Sequence, residues 1–182
     1  QNLTAIITGA STGIGRGLAT TLATIYKARM VLTARSEHEL TTLKQEVEKR
    51  GGEAIIYAAD ITTSGVTATL VKECIKNFGS LNLLVNNAGM AIPGRFDELS
   101  EEDWRKVMEV NFFSTLTLTQ QALPELKAAK PAKIVNISSV AGKIAFPGSI
   151  SYCASKFAMT ALSEGLAAEL ASDDIQVITV CP

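Results

Sequence analysis

The sequence predicts an α/β fold in which a doubly wound parallel sheet lies between two layers of helices. Short apolar, β-branched runs alternate with longer segments of helical apolar spacing along the chain, and such alternation is typical of a parallel sheet covered on both faces. A glycine-rich turn also joins the first predicted strand to the first predicted helix, as in nucleotide-binding βαβ units. Short connections and right-handed crossovers then favour a single three-layer α/β/α domain over residues 1–182.

Three predicted strands, each followed by a helix, make up the first half of the chain. Apolar, β-branched runs predict the strands, and apolar residues at every third or fourth position predict the helices. The first helix carries Leu18, Leu22 and Ile25 on one face, and two glycines close the charged second helix. In chain order the strands span residues 3–8, 30–33 and 54–57, and the second and third helices span residues 37–50 and about 64–78.

The same alternation continues through the second half, without a repeat, a linker or a low-complexity tract. Ser100 is predicted to cap a long helix, and Asp103 three residues later completes a reciprocal capping pair. The predicted strands span residues 81–85, 133–137 and 176–180, and the helices span residues from about 101 to 126 and 151 to 171.

Residues suited to ligand binding stand at or just past the ends of the predicted strands. They are Gly9, Asp60, Asn87, Ser139 and Pro182. In open parallel sheets ligands bind beyond the carboxyl ends of the strands, where the strand order reverses. We therefore expect these separate segments to meet at one edge of the sheet.

The first of these segments has the features of a phosphate-binding turn. Gly9 allows a tight turn, Gly13 allows close approach of a pyrophosphate, and Gly15 allows the helix to pack close to the strand. The free N–H groups and the positive dipole end of the helix then face the phosphates. The spacing is Gly-x-x-x-Gly-x-Gly, and such a loop is weak evidence when it stands alone.

Tyr152 and Lys156 form a Tyr-x-x-x-Lys pair on one face of the last predicted helix, 13 residues after Ser139. A free phenol has a pKa near 10, and an adjacent ammonium lowers the pKa of a phenol toward neutrality. A proton donor and acceptor of that kind suits carbonyl reduction or alcohol oxidation. An isolated pair of this kind is more often a half-exposed tyrosine beside a solvated lysine.

Composition excludes several classes of function. Net charge is −1 from 17 basic and 18 acidic residues, so no basic stripe predicts nucleic-acid binding. No apolar run approaches the length of a membrane span. The three cysteines form no Cys-x-x-Cys pair, and His38 is the only histidine. Neither a disulfide framework nor a metal site is predicted, and a reduced, cytoplasmic setting fits best.

Taken with the segment Asn86-Asn87-Ala88-Gly89, with Asn111 and with Ile137-Ser138-Ser139, these motifs resemble the short-chain dehydrogenase/reductase family, in its compact single-domain branch. The resemblance covers essentially the whole chain, with the motifs in the family's order and spacing, and implies a Rossmann fold. The longer sugar-nucleotide epimerases and dehydratases share the Tyr-x-x-x-Lys pair, but their glycine spacing differs.

The resemblance implies a role for each residue of the site. Ser139 rather than Ser138 takes the position that holds the substrate oxygen, because neighbours along a strand point to opposite sides. Tyr152 passes the proton, Lys156 lowers the pKa of the tyrosine and contacts the nicotinamide ribose, and Asn111 anchors a water that leads from Lys156 to solvent. Asn86 is expected to link the strands instead. The residues expected to bind cofactor are Gly9, Ser11, Thr12, Gly13, Ile14, Gly15, Arg35, Asp60, Ile61, Asn87, Ala88, Gly89, Val110, Tyr152, Lys156 and Pro182.

Arg35 favours NADP(H) over NAD(H). An NAD enzyme places a carboxylate at the end of the second strand for the ribose 2′-hydroxyl, whereas this strand is followed by Arg35, which can grip a 2′-phosphate. The alternative is an ordinary surface arginine whose positive charge is balanced by Glu37. The leading hypothesis is thus an NADP(H)-dependent oxidoreductase that interconverts a carbonyl and a secondary alcohol. The alternative is a regulatory member that binds cofactor without efficient turnover. The sequence does not identify the substrate.

Two further expectations concern assembly and the chain's end. In the family the two long helices pair with their symmetry mates, so apolar residues on them predict a homodimer or homotetramer: Leu116, Leu118, Leu123, Leu126, Phe157, Met159, Leu162 and Leu166. The plain alternative is that they face the sheet. The sequence stops at Pro182, where the family continues with a substrate-covering segment, so we expect the biological protein to be longer.

Overall fold

The computed structural model describes residues 3–182 and contains one six-stranded parallel sheet. The strands lie in the order β3-β2-β1-β4-β5-β6, so the strand order reverses between β1 and β4. This is the doubly wound topology that the sequence predicts, and the prediction is confirmed. The strands are β1 (Thr4–Thr8), β2 (Arg29–Ala34), β3 (Glu53–Ala58), β4 (Leu83–Asn86), β5 (Ala132–Ile137) and β6 (Ile175–Val180).

Helices cover both faces of this sheet. They are α1 (Gly13–Tyr26), α2 (Glu37–Lys49), α3 (Val66–Phe78), α4 (Glu101–Met108), α5 (Ser114–Ala128) and α6 (Ile150–Leu170). Two apolar cores result, one on each face, and alternation along β1 sends Ile6 into one core and Ile7 into the other. Both isoleucines are fully buried, as a central strand of a parallel sheet requires.

The single long helix predicted over residues 101–126 is the largest departure from the sequence prediction. The capping pair is confirmed: Ser100 Oγ accepts a hydrogen bond from the Asp103 N–H at 3.1 Å, and Asp103 Oδ2 accepts one from the Ser100 N–H at 3.0 Å. The α-helix, however, gives way to a π-helical turn over Glu109–Phe113. Such turns are frequent at functional sites, and this one carries Asn111.

Smaller corrections concern the ends and faces of the elements. The fourth strand begins at Leu83, and Leu81 lies buried in the core before it. Three of the residues assigned to an interface between subunits, Leu118, Leu126 and Met159, are fully buried within this chain. Helical spacing alone could not separate them from the outward-facing residues on the same helices. None of the helices in residues 3–182 is long and apolar enough to cross a membrane.

Candidate active site

The carboxyl ends of the strands surround a cavity of about 740 Å³. Its wall contains Ser139, Tyr152, Lys156 and all the residues expected to bind cofactor except Gly15. Asn111 is not part of the wall either. Residues that sequence reasoning missed also line the cavity, namely Thr33, Ala34, Ser36, Ala59, Met90, Ala91, Ile137 and Ser138. Their signal is proximity along the chain, since each lies within two positions of a predicted site residue.

The glycine turn lies at one end of this cavity, and close packing explains two of its glycines. Gly9 has φ +60°, and a Cβ there would lie 2.9 Å from the Ala88 Cα. A Cβ on Gly15 would lie 2.5 Å from the Gly9 carbonyl oxygen. Gly13, at φ +54°, has open space beside it. The turn is therefore held tightly on its protein side and is open on its cavity side.

The N-terminus of α1 supplies donors to this open side. Thr12 precedes the helix in an extended conformation, and its side chain makes no capping hydrogen bond. No acidic residue stands in the first turn. Within residues 3–182, the free N–H groups and the positive end of the helix dipole therefore face the cavity without a protein acceptor, and this arrangement fits the phosphates of a dinucleotide.

Asn87 fixes the glycine turn against β4. Its Nδ2 donates to the carbonyl oxygens of Thr8 and Gly9, each at 2.9 Å. Thr8 Oγ1 in turn accepts from the N–H groups of Asn87 and Ala88, at 3.0 and 2.9 Å. The side-chain amide of Asn87 is thus bonded to the turn, and Asn87 meets the cavity as part of its wall.

Asn86 lies on the other side of the same strand and is buried. Its Nδ2 donates to Asn136 Oδ1 at 2.8 Å and to Thr119 Oγ1 at 3.1 Å. These bonds join β4 to β5 and to α5, which agrees with the strand-linking role predicted for it.

Arg35 and Asp60 follow β2 and β3 on the wall of the cavity. Arg35 is exposed, and no ion pair or hydrogen bond of its side chain is recorded in the part of the chain that the structure describes. Asp60 Oδ1 accepts from the Thr62 N–H at 2.9 Å and from Thr62 Oγ1 at 2.7 Å. These bonds, helped by the charges of Arg35 and Lys106, lower the pKa of Asp60.

The two serines after β5 face different surroundings. Ser138 is buried, and its hydroxyl lies 2.9 Å from Thr160 Oγ1 and 3.3 Å from the Lys156 carbonyl oxygen. Ser139 is half-buried, and among the described residues its Oγ accepts only from the Ala141 N–H, at 3.2 Å. Strand alternation had pointed to Ser139 as the residue facing a ligand, and its hydroxyl is indeed the more accessible of the two.

Tyr152 and Lys156 share the face of α6 that meets the cavity. Lys156 Nζ lies 5.7 Å from the centre of the Tyr152 ring and donates to the Ile137 carbonyl oxygen at 2.8 Å. Only 3% of Lys156 is exposed. Burial lowers the pKa of Lys156 to about 8, although negative charge on Cys181 would oppose this shift.

Asn111 lies behind this wall and is fully buried. Its Oδ1 accepts from the Met90 N–H at 2.8 Å, and its Nδ2 donates to the Met90 carbonyl oxygen at 2.8 Å and to Ser155 Oγ at 2.9 Å. The side chain thus holds the loop after β4 against α6. Sequence reasoning missed Ser155, because a serine inside a helix gives no signal of its own.

Comparison with known proteins places these features in a family. The family model described as short chain dehydrogenase matches residues 3–182. Human "Dehydrogenase/reductase SDR family member 7" is 36% identical over an alignment of 181 residues, which covers 97% of this chain and 53% of the human protein. The 3-oxoacyl-[acyl-carrier-protein] reductase FabG of Staphylococcus aureus is 33% identical over 178 residues, which are 98% of this chain and 72% of that protein.

A solved structure extends the comparison to three dimensions. A metagenomic short-chain oxidoreductase in complex with NADP matches with a TM-score of 0.94 and 34% identity, covering all of this chain and 82% of the other. The chain thus spans about half the length of the human relative and larger shares of the other two.

Proposed function

Because the chain belongs to the short-chain dehydrogenase/reductase family, we propose that it interconverts a carbonyl and a secondary alcohol by hydride transfer, with NADP(H) favoured over NAD(H). The observation that carries this proposal is the position of Ser139, Tyr152 and Lys156 on the wall of the cavity that also holds the glycine turn. A nucleotide bound at the turn and a substrate at Ser139 would then share one cavity.

The dinucleotide would be held by the glycine turn, by the strand-end residues and by Lys156. When bound, a nicotinamide nucleotide supplies or accepts the hydride. The uncapped N-terminus of α1 suits the pyrophosphate, and Asp60, Asn87 and Gly89 line the wall beyond it.

Ser139, Tyr152 and Lys156 would carry the proton chemistry. Reduction of a carbonyl adds a hydride to its carbon and a proton to its oxygen. Ser139 Oγ, half-exposed to the cavity, would donate a hydrogen bond to that oxygen and orient it. The Tyr152 hydroxyl would transfer the proton, and the Lys156 ammonium, 5.7 Å from the ring, would stabilise the negative charge that develops on the phenol oxygen.

Arg35 supports the preference for a 2′-phosphate. It is exposed on the cavity wall, and Glu37 forms no recorded ion pair with it among residues 3–182. Its guanidinium is therefore available for bidentate phosphate binding. The related metagenomic oxidoreductase was solved in complex with NADP, which is consistent with this preference.

We further propose that the chain is a single dinucleotide-binding domain of a cytoplasmic homodimer or homotetramer, acting on a small-molecule carbonyl or alcohol. Phe113 and Phe157 support assembly, since they remain 43% and 42% exposed on adjoining helical segments. Large exposed aromatic groups of this kind favour a partner surface. Sedimentation of wild type and Phe157→Asp would test it: a wild-type monomer would contradict the proposal.

Oxidation of NADPH in the presence of a panel of aldehydes and ketones tests the enzymatic proposal. We expect turnover with at least one member of the panel, and we expect Ser139→Ala to abolish it. Tight NADPH binding without turnover of any carbonyl or alcohol would favour the regulatory alternative instead.

A further inference from the structure

Ser155 makes two hydrogen bonds that join the Asn111 turn to the helix bearing Tyr152. Its Oγ donates to the Tyr152 carbonyl oxygen at 2.7 Å and accepts from Asn111 Nδ2 at 2.9 Å. The residue is fully buried, so solvent cannot replace either partner. Loss of the hydroxyl would leave one N–H of Asn111 buried without an acceptor.

The direction of these bonds fixes how the Asn111 amide is oriented. A serine hydroxyl carries one hydrogen, and here that hydrogen goes to the Tyr152 carbonyl. Ser155 therefore presents an acceptor to Asn111, and it selects the amide orientation in which Nδ2 faces α6. In that orientation the Asn111 side chain forms hydrogen bonds with both the N–H and the carbonyl oxygen of Met90, each at 2.8 Å.

The segment held in this way lies beside Lys156 in the cavity. Gly89 and Met90 both line the wall. A Cβ on Gly89 would lie 3.3 Å from Asn111 Oδ1 and 3.5 Å from Lys156 Nζ. A continuous chain of hydrogen bonds thus runs from the loop after β4, through Asn111 and Ser155, to the backbone of Tyr152.

We propose that Ser155 is a positioning residue that acts through Asn111 to set the separation between residues 89–90 and the Tyr152–Lys156 pair. The inference rests on the proposed function, in which a cofactor and a substrate meet between these two walls. A misplacement of about 1 Å in such a site can lower turnover by roughly a hundredfold, so a buried bond that fixes the separation would affect rate more than affinity.

The chain offers a matched control on the same helix. Ser163, also buried, donates to the Met159 carbonyl oxygen at 2.7 Å and accepts from Asn136 Nδ2 at 2.8 Å. It therefore repeats the Ser155 arrangement, asparagine included, two helical turns further along α6. Neither Ser163 nor Asn136 lines the cavity.

The test compares Ser155→Ala, Ser163→Ala and Ser155→Thr with wild type. We expect similar losses in urea midpoint for the two alanine variants, because each leaves a buried asparagine N–H unpaired. The kcat of Ser155→Ala should fall by about tenfold or more while that of Ser163→Ala stays within about twofold, and the threonine hydroxyl should restore most of the rate. A Ser155→Ala enzyme within twofold of wild type, or equal losses of kcat in the two alanine variants, would overturn the proposal.

A binding measurement separates this inference from the proposed function. If the wild-type protein turns over no carbonyl, the proposed function fails, and dissociation constants for NADPH and for 2′,5′-ADP then decide the role of Ser155. The 2′,5′-ADP fragment lacks the nicotinamide half. Ser155→Ala should therefore raise the dissociation constant of NADPH by about threefold or more relative to that of the fragment, and Ser163→Ala should not. The same ratio of dissociation constants in all three proteins would reject the positioning role.

Discussion

Lys156 Nζ donates a hydrogen bond of 2.8 Å to the carbonyl oxygen of Ile137. Ile137 ends β5 two residues before Ser139, and Lys156 lies one helical turn after Tyr152 on α6. The bond therefore fixes the helix that bears the phenol against the strand that leads to Ser139. Only 3% of Lys156 is exposed, so the bond also gives a buried amine a hydrogen-bond acceptor.

The buried amine predicts a distinctive dependence of stability on pH. Burial lowers the pKa of Lys156 from 10.5 to about 8, so between these values the unfolded chain binds a proton that the folded protein does not. The free energy of unfolding should therefore rise with pH in this window. The cost of holding the charged amine is fully present below about pH 8 and disappears as the pH approaches 10.5.

Lys156→Met removes this titration and is the matched comparison. From pH 7 to pH 10 the wild type should gain roughly 2–3 kcal/mol relative to the variant, since one pKa unit corresponds to about 1.4 kcal/mol. Urea unfolding of both proteins at the two pH values measures this gain in the free energy of unfolding. Parallel pH profiles for the two proteins would show that Lys156 titrates normally in the folded state.

The glycine turn provides a prediction with a control two positions away, on the opposite, exposed side of the same helix. A Cβ on Gly15 would lie 2.5 Å from the Gly9 carbonyl oxygen and 2.6 Å from Asn87 Nδ2, whereas nothing lies within 4 Å of a Cβ on Gly17. Gly15→Ala should cost about 1–3 kcal/mol of stability through overpacking. Gly17→Ala should gain about 0.5–1 kcal/mol in helix propensity.

Urea unfolding of the two alanine variants checks these opposite signs. Gly15→Ala should also weaken nucleotide binding, because the turn and Asn87 must shift together, while Gly17→Ala should bind as the wild type does. A Gly15→Ala protein as stable as the wild type would mean that the helix can move away from β1 at no cost.

Arg35 tests the preference for NADP(H). A charge-assisted bond to the 2′-phosphate is worth roughly 1.5–3 kcal/mol, so Arg35→Ala should remove most of the difference between NADPH and NADH affinity. The exposed Arg105, paired with Glu101 at 2.6 Å and not part of the cavity wall, is the control for loss of a positive charge. Equal dissociation constants for NADPH and NADH in the wild type would refute the preference.

Much of the fold could be predicted because local and global requirements agree. Strand alternation separated Ser138 from Ser139, and the structure gives Ser138 buried partners on α6. The spacing of Tyr152 and Lys156 put both on one helical face, where they meet the cavity. In each case the prediction rests on the repeat of the element, which is two residues in a strand and 3.6 residues in an α-helix.

The features that could not be predicted depend on contacts distant in sequence. The π-helical turn around Asn111 is stabilised by bonds to Met90 and Ser155, which lie 21 and 44 positions away along the chain. Likewise, the sequence places Asn87 at a strand end, but it does not predict the bonds of Asn87 to the glycine turn. The leucines of α5 are buried to different degrees, and this could not be predicted for the same reason, since apolar spacing does not say which neighbour covers a residue.

The proton-transfer role of Tyr152 is the central claim, and Tyr152→Phe tests it most directly. The variant removes one hydroxyl from a half-buried residue of the cavity wall, so NADPH should bind with nearly unchanged affinity. General acid–base catalysis contributes about 10²–10⁴-fold to rate, and kcat should fall to about 1% of wild type or lower. Unchanged NADPH affinity with this loss of kcat is the predicted result, and retention of more than about a tenth of wild-type kcat would contradict the account.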